Sequence, residues 1–91
     1  MTERSILFLL YIAHSVNVKE VLWQLLSERL LLLREEKHVS QAVAANASGI
    51  NLRTYHRYEN GEREASVSTL IRMADYFGVT IDYLVGRSDA R

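Results

Sequence analysis

Two arginines and a histidine, Arg53, His56 and Arg57, carry the most evident chemistry in this 91-residue chain. Spaced three and four apart, they fall on one side of a helix. No acid interrupts them between Val39 and Tyr58, and the first one met is Glu59. A guanidinium presents its donors as a planar fork that matches the acceptor edge of guanine or the oxygens of a phosphate. The row therefore suits recognition of a nucleic acid by hydrogen bonding. A solvated face is the commonest fate of helix arginines, so the elements that hold these residues decide between the two.

Those elements are legible from Ser40 to Gly61, SQAVAANASGINLRTYHRYENG. The segment reads as two short helices around a tight turn at Ser48-Gly49-Ile50-Asn51. Ser40 and Asn51 are good N-caps, because a side-chain oxygen there accepts from orphan backbone N–H groups. Val43, Ala44 and Ala47 offer the first helix a small apolar face, and Ala44 and Ala45 let the second helix cross closely. Gly49 sits where the chain must reverse, which calls for positive φ. Ile50 plugs the gap between the helices. Tyr55 and Tyr58 are expected to face the core, leaving Leu52, Arg53, His56 and Arg57 outside. Asn60-Gly61 ends the helix. Such a pair holds its second helix rigidly, so that the N-terminal side chains can enter the major groove of DNA.

The chain resembles the helix-turn-helix family of phage repressors and Cro proteins, the xenobiotic-response-element type of bacterial regulator. The resemblance runs from Leu26 to Asp89. Its residues are Glu28-Arg29-Leu30, Leu33 to Lys37, Val39-Ser40-Gln41, Ala45, Gly49-Ile50, Arg57 to Gly61, Leu70 to Val79 and Asp82 to Arg87. Ser40-Gln41 and Arg57-Tyr58-Glu59-Asn60-Gly61 are the most specific of these.

The resemblance implies an all-α, five-helix, lambda-repressor-like DNA-binding domain. It implies that Asn51, Leu52, Arg53 and Arg57 read bases: arginine pairs bidentately with guanine, and Leu52 can meet a thymine methyl. Gln41, Thr54, Asn60 and Arg63 become candidates for backbone phosphates. Arg34 and Glu59 are implied to form an ion pair that joins the first helix of the domain to the end of the reading helix. Their plain alternative is ordinary surface charge. Two positions depart from the pattern. His38 stands where a helix-ending glycine is usual, which leaves a mildly strained turn. Ala65 replaces a common proline before Ser66, which leaves that loop less stiff.

Composition fits one small domain with a single modest core, for which association is a natural source of added stability. The absence of cysteine excludes disulfides and thiol chemistry and suits a cytoplasmic protein. Formal net charge is zero, with eleven basic and eleven acidic residues. A nucleic-acid binder usually leaves a basic footprint. Placement matters more than the sum: the acids cluster at Glu35-Glu36 and from Glu59 to Glu64. The expectation is a neutral protein with one basic ridge, weak on random DNA and reliant on direct readout. His14, His38 and His56 are scattered without metal spacing, and His56 reads as a backbone contact or a bystander. No cofactor, small-molecule ligand or membrane span is expected. Paired carboxylates, a glycine-rich phosphate loop and a nucleophile–base pair are all missing, so an enzyme is not expected either.

Helices are expected near Glu3–His14, Asn17–Lys37, Gln41–Ala47, Leu52–Tyr58, Val67–Phe77 and Ile81–Val85. Asn17 with Glu20 matches a capping box, and Ser66 and Thr80 are caps. Leu70, Ile71, Ala74 and Phe77 form one expected core face, and Ile81, Leu84 and Val85 another. Tyr76 and Tyr83 are expected in the core with Tyr55 and Tyr58.

The long helix carries more apolar residues than one core needs. Val18, Val21, Leu22, Leu25, Leu26, Leu30 and Leu33 make its stripe, and Trp23, Leu31 and Leu32 fall outside it. Trp23 is read as core or interface. Ahead of the helix lies an uninterrupted apolar run from Ile6 to Ala13, too short to span a membrane. With Arg4 before it the run imitates a signal peptide, but Glu3 stands in the supposed basic region. Residues 1–24 are therefore assigned to a hydrophobic extension and residues 25–91 to the DNA-binding domain. Ile6, Phe8, Leu10, Trp23, Leu31 and Leu32 are the expected dimer interface.

The expected function is sequence-specific binding of a double-stranded DNA operator by a homodimeric transcriptional regulator, a repressor or autoregulator. No appended ligand-binding or peptidase domain is expected, so control is expected through concentration, dimerisation or a partner. The competing reading is an antitoxin or adaptor whose apolar N-terminal segment binds a partner protein, with DNA binding secondary.

Overall fold

Side-chain caps set where the helices begin. The Ser40 hydroxyl accepts from the Val43 N–H at 3.1 Å, and the Asn51 carbonyl oxygen accepts from Thr54 at 2.8 Å. Ser66 and Thr80 do the same for Thr69 and Tyr83 at 3.2 and 3.0 Å. Each removes an orphan donor from a first turn. The computed structural model describes residues 18–91. They form α1 (Val18–Lys37), α2 (Gln41–Ala47), α3 (Leu52–Glu59), α4 (Val67–Phe77) and α5 (Ile81–Leu84), with no strand among the described residues. This is the all-α, five-helix, lambda-repressor-like arrangement. α3 runs one residue further than expected, and α5 stops one residue earlier, with Val85 as its C-cap. The expected helix at Glu3–His14, the cap at Asn17 and the residues Ile6, Phe8 and Leu10 lie outside the described residues.

α1 packs on α3 and α5, α2 on α3, and α4 on α5. Their shared core holds Leu26, Leu30 and Leu33 from α1, Ala44 and Ala45 from α2, Tyr55 and Tyr58 from α3, Leu70, Met73, Ala74 and Phe77 from α4, and Tyr83 and Leu84 from α5. Burying these apolar side chains is the main favourable term in folding.

Three expectations of burial are corrected. Ile71 is 44 % exposed, and Met73 takes its place in the core. Leu70, Met73, Ala74 and Phe77 repeat at i, i+3, i+4 and i+7, whereas Ile71 is turned about 100° from Leu70. Val43 and Ala47 are exposed. The face that α2 turns to α3 is only as wide as Ala44 and Ala45, which leaves its neighbours in solvent. Tyr76 is only half-buried, its ring edge-on to Phe77 at 4.8 Å with the Lys37 ammonium 5.0 Å above it.

α1 continues without a break across position 24. Trp23 is half-buried and packs against the core of its own chain. Leu31 and Leu32 are 41 % and 44 % exposed. His38 closes α1 with φ of 57°, the left-handed position expected of it.

The C-terminal residues fold back along α1. Arg29 is the anchor. Its guanidinium donates to the carbonyls of Tyr83 at 2.9 Å and Ser88 at 2.8 Å, pairs with Asp89 at 2.7 Å, and lies 4.1 Å over the Tyr83 ring. Gly86 lets this segment approach. Its φ is +82°, and a Cβ there would overlap the Leu25 side chain. A second, exposed pair, Arg91 with Glu36, spans the same face at 2.7 and 2.8 Å.

Candidate nucleic-acid interface

The two tyrosines of α3 orient its outer face. Tyr55 and Tyr58 are buried, so Asn51, Leu52, Arg53 and His56 are turned outward and are exposed; Arg57 is half-buried at the edge. Asn51 has a double use. Its carbonyl oxygen is spent on the cap, while its amide NH2 is not needed there. Thr54 is half-buried, and Asn60 and Arg63 are exposed just past the helix end. The turn before α3 is tight because Gly49 takes φ of +69°, and the Ile50 N–H returns to the Ala45 carbonyl at 2.9 Å.

Behind this face, α3 is tied to α1 and α2 by a polar cluster. Arg34 donates from Nε to Glu59 Oε2 at 2.7 Å and from Nη2 to Oε1 at 3.2 Å. Its Nη1 donates to the Val39 carbonyl at 3.0 Å. Gln41 Nε2 donates to Glu59 Oε1 at 3.0 Å. The Ser27 hydroxyl donates to the Glu59 backbone carbonyl, satisfying an orphan acceptor at the end of α3. The Glu59 side chain is only 4 % exposed and that of Arg34 19 %. Burial works hardest against the Glu59 charge, but the donors of Arg34 and Gln41 outweigh it and hold the carboxyl below its ordinary value. Hydrogen bonding to Glu59 raises Arg34 in turn. Burial, then Glu59, pushes the Tyr55 phenol far upward, so it stays neutral.

Gln41 is thus engaged inside the domain as well as standing at the start of α2. It also faces the ring of His56, whose Nδ1 lies 3.3 Å from Gln41 Oε1, and His56 Nε2 lies 3.1 Å from Asn60 Nδ2. Reading the residues one by one missed this bridge and also the clasp of Arg29. The bridge joins side chains on two helices, and Arg29 bonds backbone carbonyls more than fifty residues away. The His56–Asn60 contact alone has a local spacing, four residues along one helix; the Gln41–His56 and Arg29 contacts leave none.

The helix-turn-helix family model matches residues 30–84, which hold this helix pair with its capped starts, the left-handed glycine of its turn and the donors on the outer face of its second helix. The chain belongs to the phage-repressor and Cro type of helix-turn-helix protein. Its domain is similar to the cryptic phage CTXphi transcriptional repressor RstR of Vibrio cholerae serotype O1, 37% identical over 62 residues, or 68% of this chain and 55% of that one. It is similar to the HTH-type transcriptional regulator AnsR of Bacillus subtilis, 42% identical over 60 residues, covering 66% and 52%. A third relative, the SPbeta prophage-derived uncharacterized HTH-type transcriptional regulator YonR of Bacillus subtilis, is 34% identical over 64 residues, covering 70% and 59%. The chain spans about half the length of the curated relatives it matches. No solved structure matches it. This helix-turn-helix domain is of the DNA-binding, transcription-regulating kind. Among the described residues no helix is long and apolar enough to cross a membrane.

Proposed function

We propose that this protein is a cytoplasmic, sequence-specific regulator of transcription, a repressor or autoregulator that binds a two-fold operator as a homodimer with α3 in the major groove. The observation that carries this is the outward face of α3: Asn51, Leu52 and Arg53 are exposed at the N-terminal end of a helix whose back is anchored by buried Tyr55 and Tyr58. In this reading Asn51, Leu52, Arg53 and Arg57 meet base edges, and Gln41, Thr54, Asn60 and Arg63 meet phosphates. Gln41 Nε2 and Asn60 Nδ2 each carry two hydrogens, so one internal hydrogen bond leaves each a donor for a phosphate oxygen.

One eight-residue reading helix makes few base contacts, which favours a symmetric pair of half-sites. We assign the dimer contact to the hydrophobic extension, residues 1–24, with Leu31 and Leu32 of the DNA-binding unit, residues 25–91. Ile6, Phe8, Leu10 and the accessible part of Trp23 complete it. The exposure of Leu31 and Leu32 supports this. Selection of bound DNA from a random pool, followed by footprinting, tests the reading. The expected result is a two-fold site with half-site centres about one helical turn, ~34 Å, or a multiple of it apart. A single asymmetric, monomer-sized site overturns the homodimer. Removing residues 1–16 is expected to abolish dimerisation in light scattering; a truncated protein that stays dimeric places the interface elsewhere.

A further inference from the structure

We propose that His56 is a positioning residue for DNA binding: its ring, with a proton on Nδ1 and held between Gln41 and Asn60, fixes both amides in the geometry in which they meet phosphates. The inference rests on the phosphate roles assigned above. It begins with charge. The Glu59 carboxylate can only accept, so the group of Gln41 that lies 3.0 Å from it is the NH2. That orientation turns the Gln41 carbonyl oxygen toward the imidazole, where Nδ1 is 3.3 Å away. An oxygen without a hydrogen needs a donor opposite it, so Nδ1 carries the proton. When Nδ1 holds the ring's one proton, Nε2 is an acceptor, and the Asn60 NH2 lies 3.1 Å from it. Every contact along Arg34, Glu59, Gln41, His56 and Asn60 pairs a donor with an acceptor.

The consequence is mechanical. Gln41 opens α2 and Asn60 caps α3, and the His56 ring links their two amides. Without the ring, Asn60 loses its side-chain partner and regains its rotamers, and Gln41 is held from one end only. Ordering them again would fall on the binding step. His56 itself sits in the middle turn of α3 and needs no contact with a base.

The test has two arms. In mildly alkaline solution, long-range proton–nitrogen NMR on the free full-length protein should show a protonated Nδ1 and an unprotonated Nε2 for His56. A ring protonated on Nε2 instead overturns the proposal. In the second arm, His56→Phe should weaken binding to the selected operator and to random duplex by the same factor, about three- to tenfold, because phosphates carry no sequence information. His56→Asn, which keeps a donor where Nδ1 stood, should recover part of that loss. Affinities are compared at equal folded fraction, so a change in stability is not counted as a change in binding. Operator affinity unchanged in His56→Phe overturns the proposal, as does a loss confined to one base position. Failure of the wild-type protein to bind any duplex refutes the proposed function instead, and the NMR arm still decides the ring.

Discussion

Arg34 and Glu59 meet side-on, Nε to Oε2 at 2.7 Å and Nη2 to Oε1 at 3.2 Å, and this is how the reading helix is locked to α1. The carboxylate is almost enclosed, while the guanidinium keeps some contact with water. Enclosed pairs contribute more to a single geometry than to net stability, because both ions must be desolvated. Removing one partner is a different matter. Glu59→Ala is expected to cost about 2–3 kcal/mol, below the ~3–5 kcal/mol of a fully buried pair because Arg34 can rehydrate. A denaturation midpoint left unchanged by the substitution would show the pair to be dispensable.

The same carboxylate makes stability depend on pH. Its folded value is depressed, so the unfolded chain takes up the proton first as the solution is acidified. The contribution is fully present above the ordinary carboxylate range, about 4.3, and is lost as pH falls through the lower folded value. Denaturant titrations between neutral and acid pH should show this decline in the wild type and a shallower one in Glu59→Gln.

Tyr55 presents the opposite case. Its ring is fully buried, and its hydroxyl meets no partner at hydrogen-bonding geometry. Deleting an unsatisfied group returns its desolvation cost, so Tyr55→Phe is expected to be neutral or stabilising by up to about 1 kcal/mol. Tyr55→Ala removes the packing of the ring and should cost about 3–5 kcal/mol. Paired urea titrations separate the two, and a large loss in Tyr55→Phe would reveal a hydrogen bond to Glu59.

His38 is the one described non-glycine residue with positive φ. The left-handed region costs an L-residue about 1–2 kcal/mol, and glycine gives back about half of that through its freer unfolded chain. His38→Gly should therefore raise stability by about 0.5–1 kcal/mol, read as a higher melting temperature. At Gly86 the direction reverses. Gly86→Ala combines positive φ with overlap on Leu25 and should cost about 2–4 kcal/mol.

Arg53 and Gln41 separate the two kinds of DNA contact. Arg53→Ala should relax preference at one or two base positions and cost about 1–3 kcal/mol on the selected site. Gln41→Ala should weaken every sequence about alike once compared at equal folded fraction. Equal losses on cognate and random DNA in Arg53→Ala would make Arg53 a phosphate contact. The measurement is a set of binding isotherms at one salt concentration, since affinity falls steeply with salt.

Local chemistry was enough to read much of this protein from its chain. Capping by Ser40, Asn51, Ser66 and Thr80 and reversal at Gly49 involve residues within a few positions of one another, so their types and spacing determine them. The outward placement of Leu52, Arg53 and His56 follows from the period of one helix. Faces on the border of burial were another matter. Ile71 and Met73 are both apolar; the helical period separates them onto different faces, and the position of the neighbouring helices decided which face was enclosed. Long-range polar contacts needed the tertiary structure entirely. Arg29 reaches the carbonyls of Tyr83 in α5 and Ser88 beyond it, Ser27 closes the end of α3, and His56 reaches Gln41 on another helix. A hydrogen bond of that kind depends on where two distant backbones come to lie, and no periodicity along the chain encodes that distance.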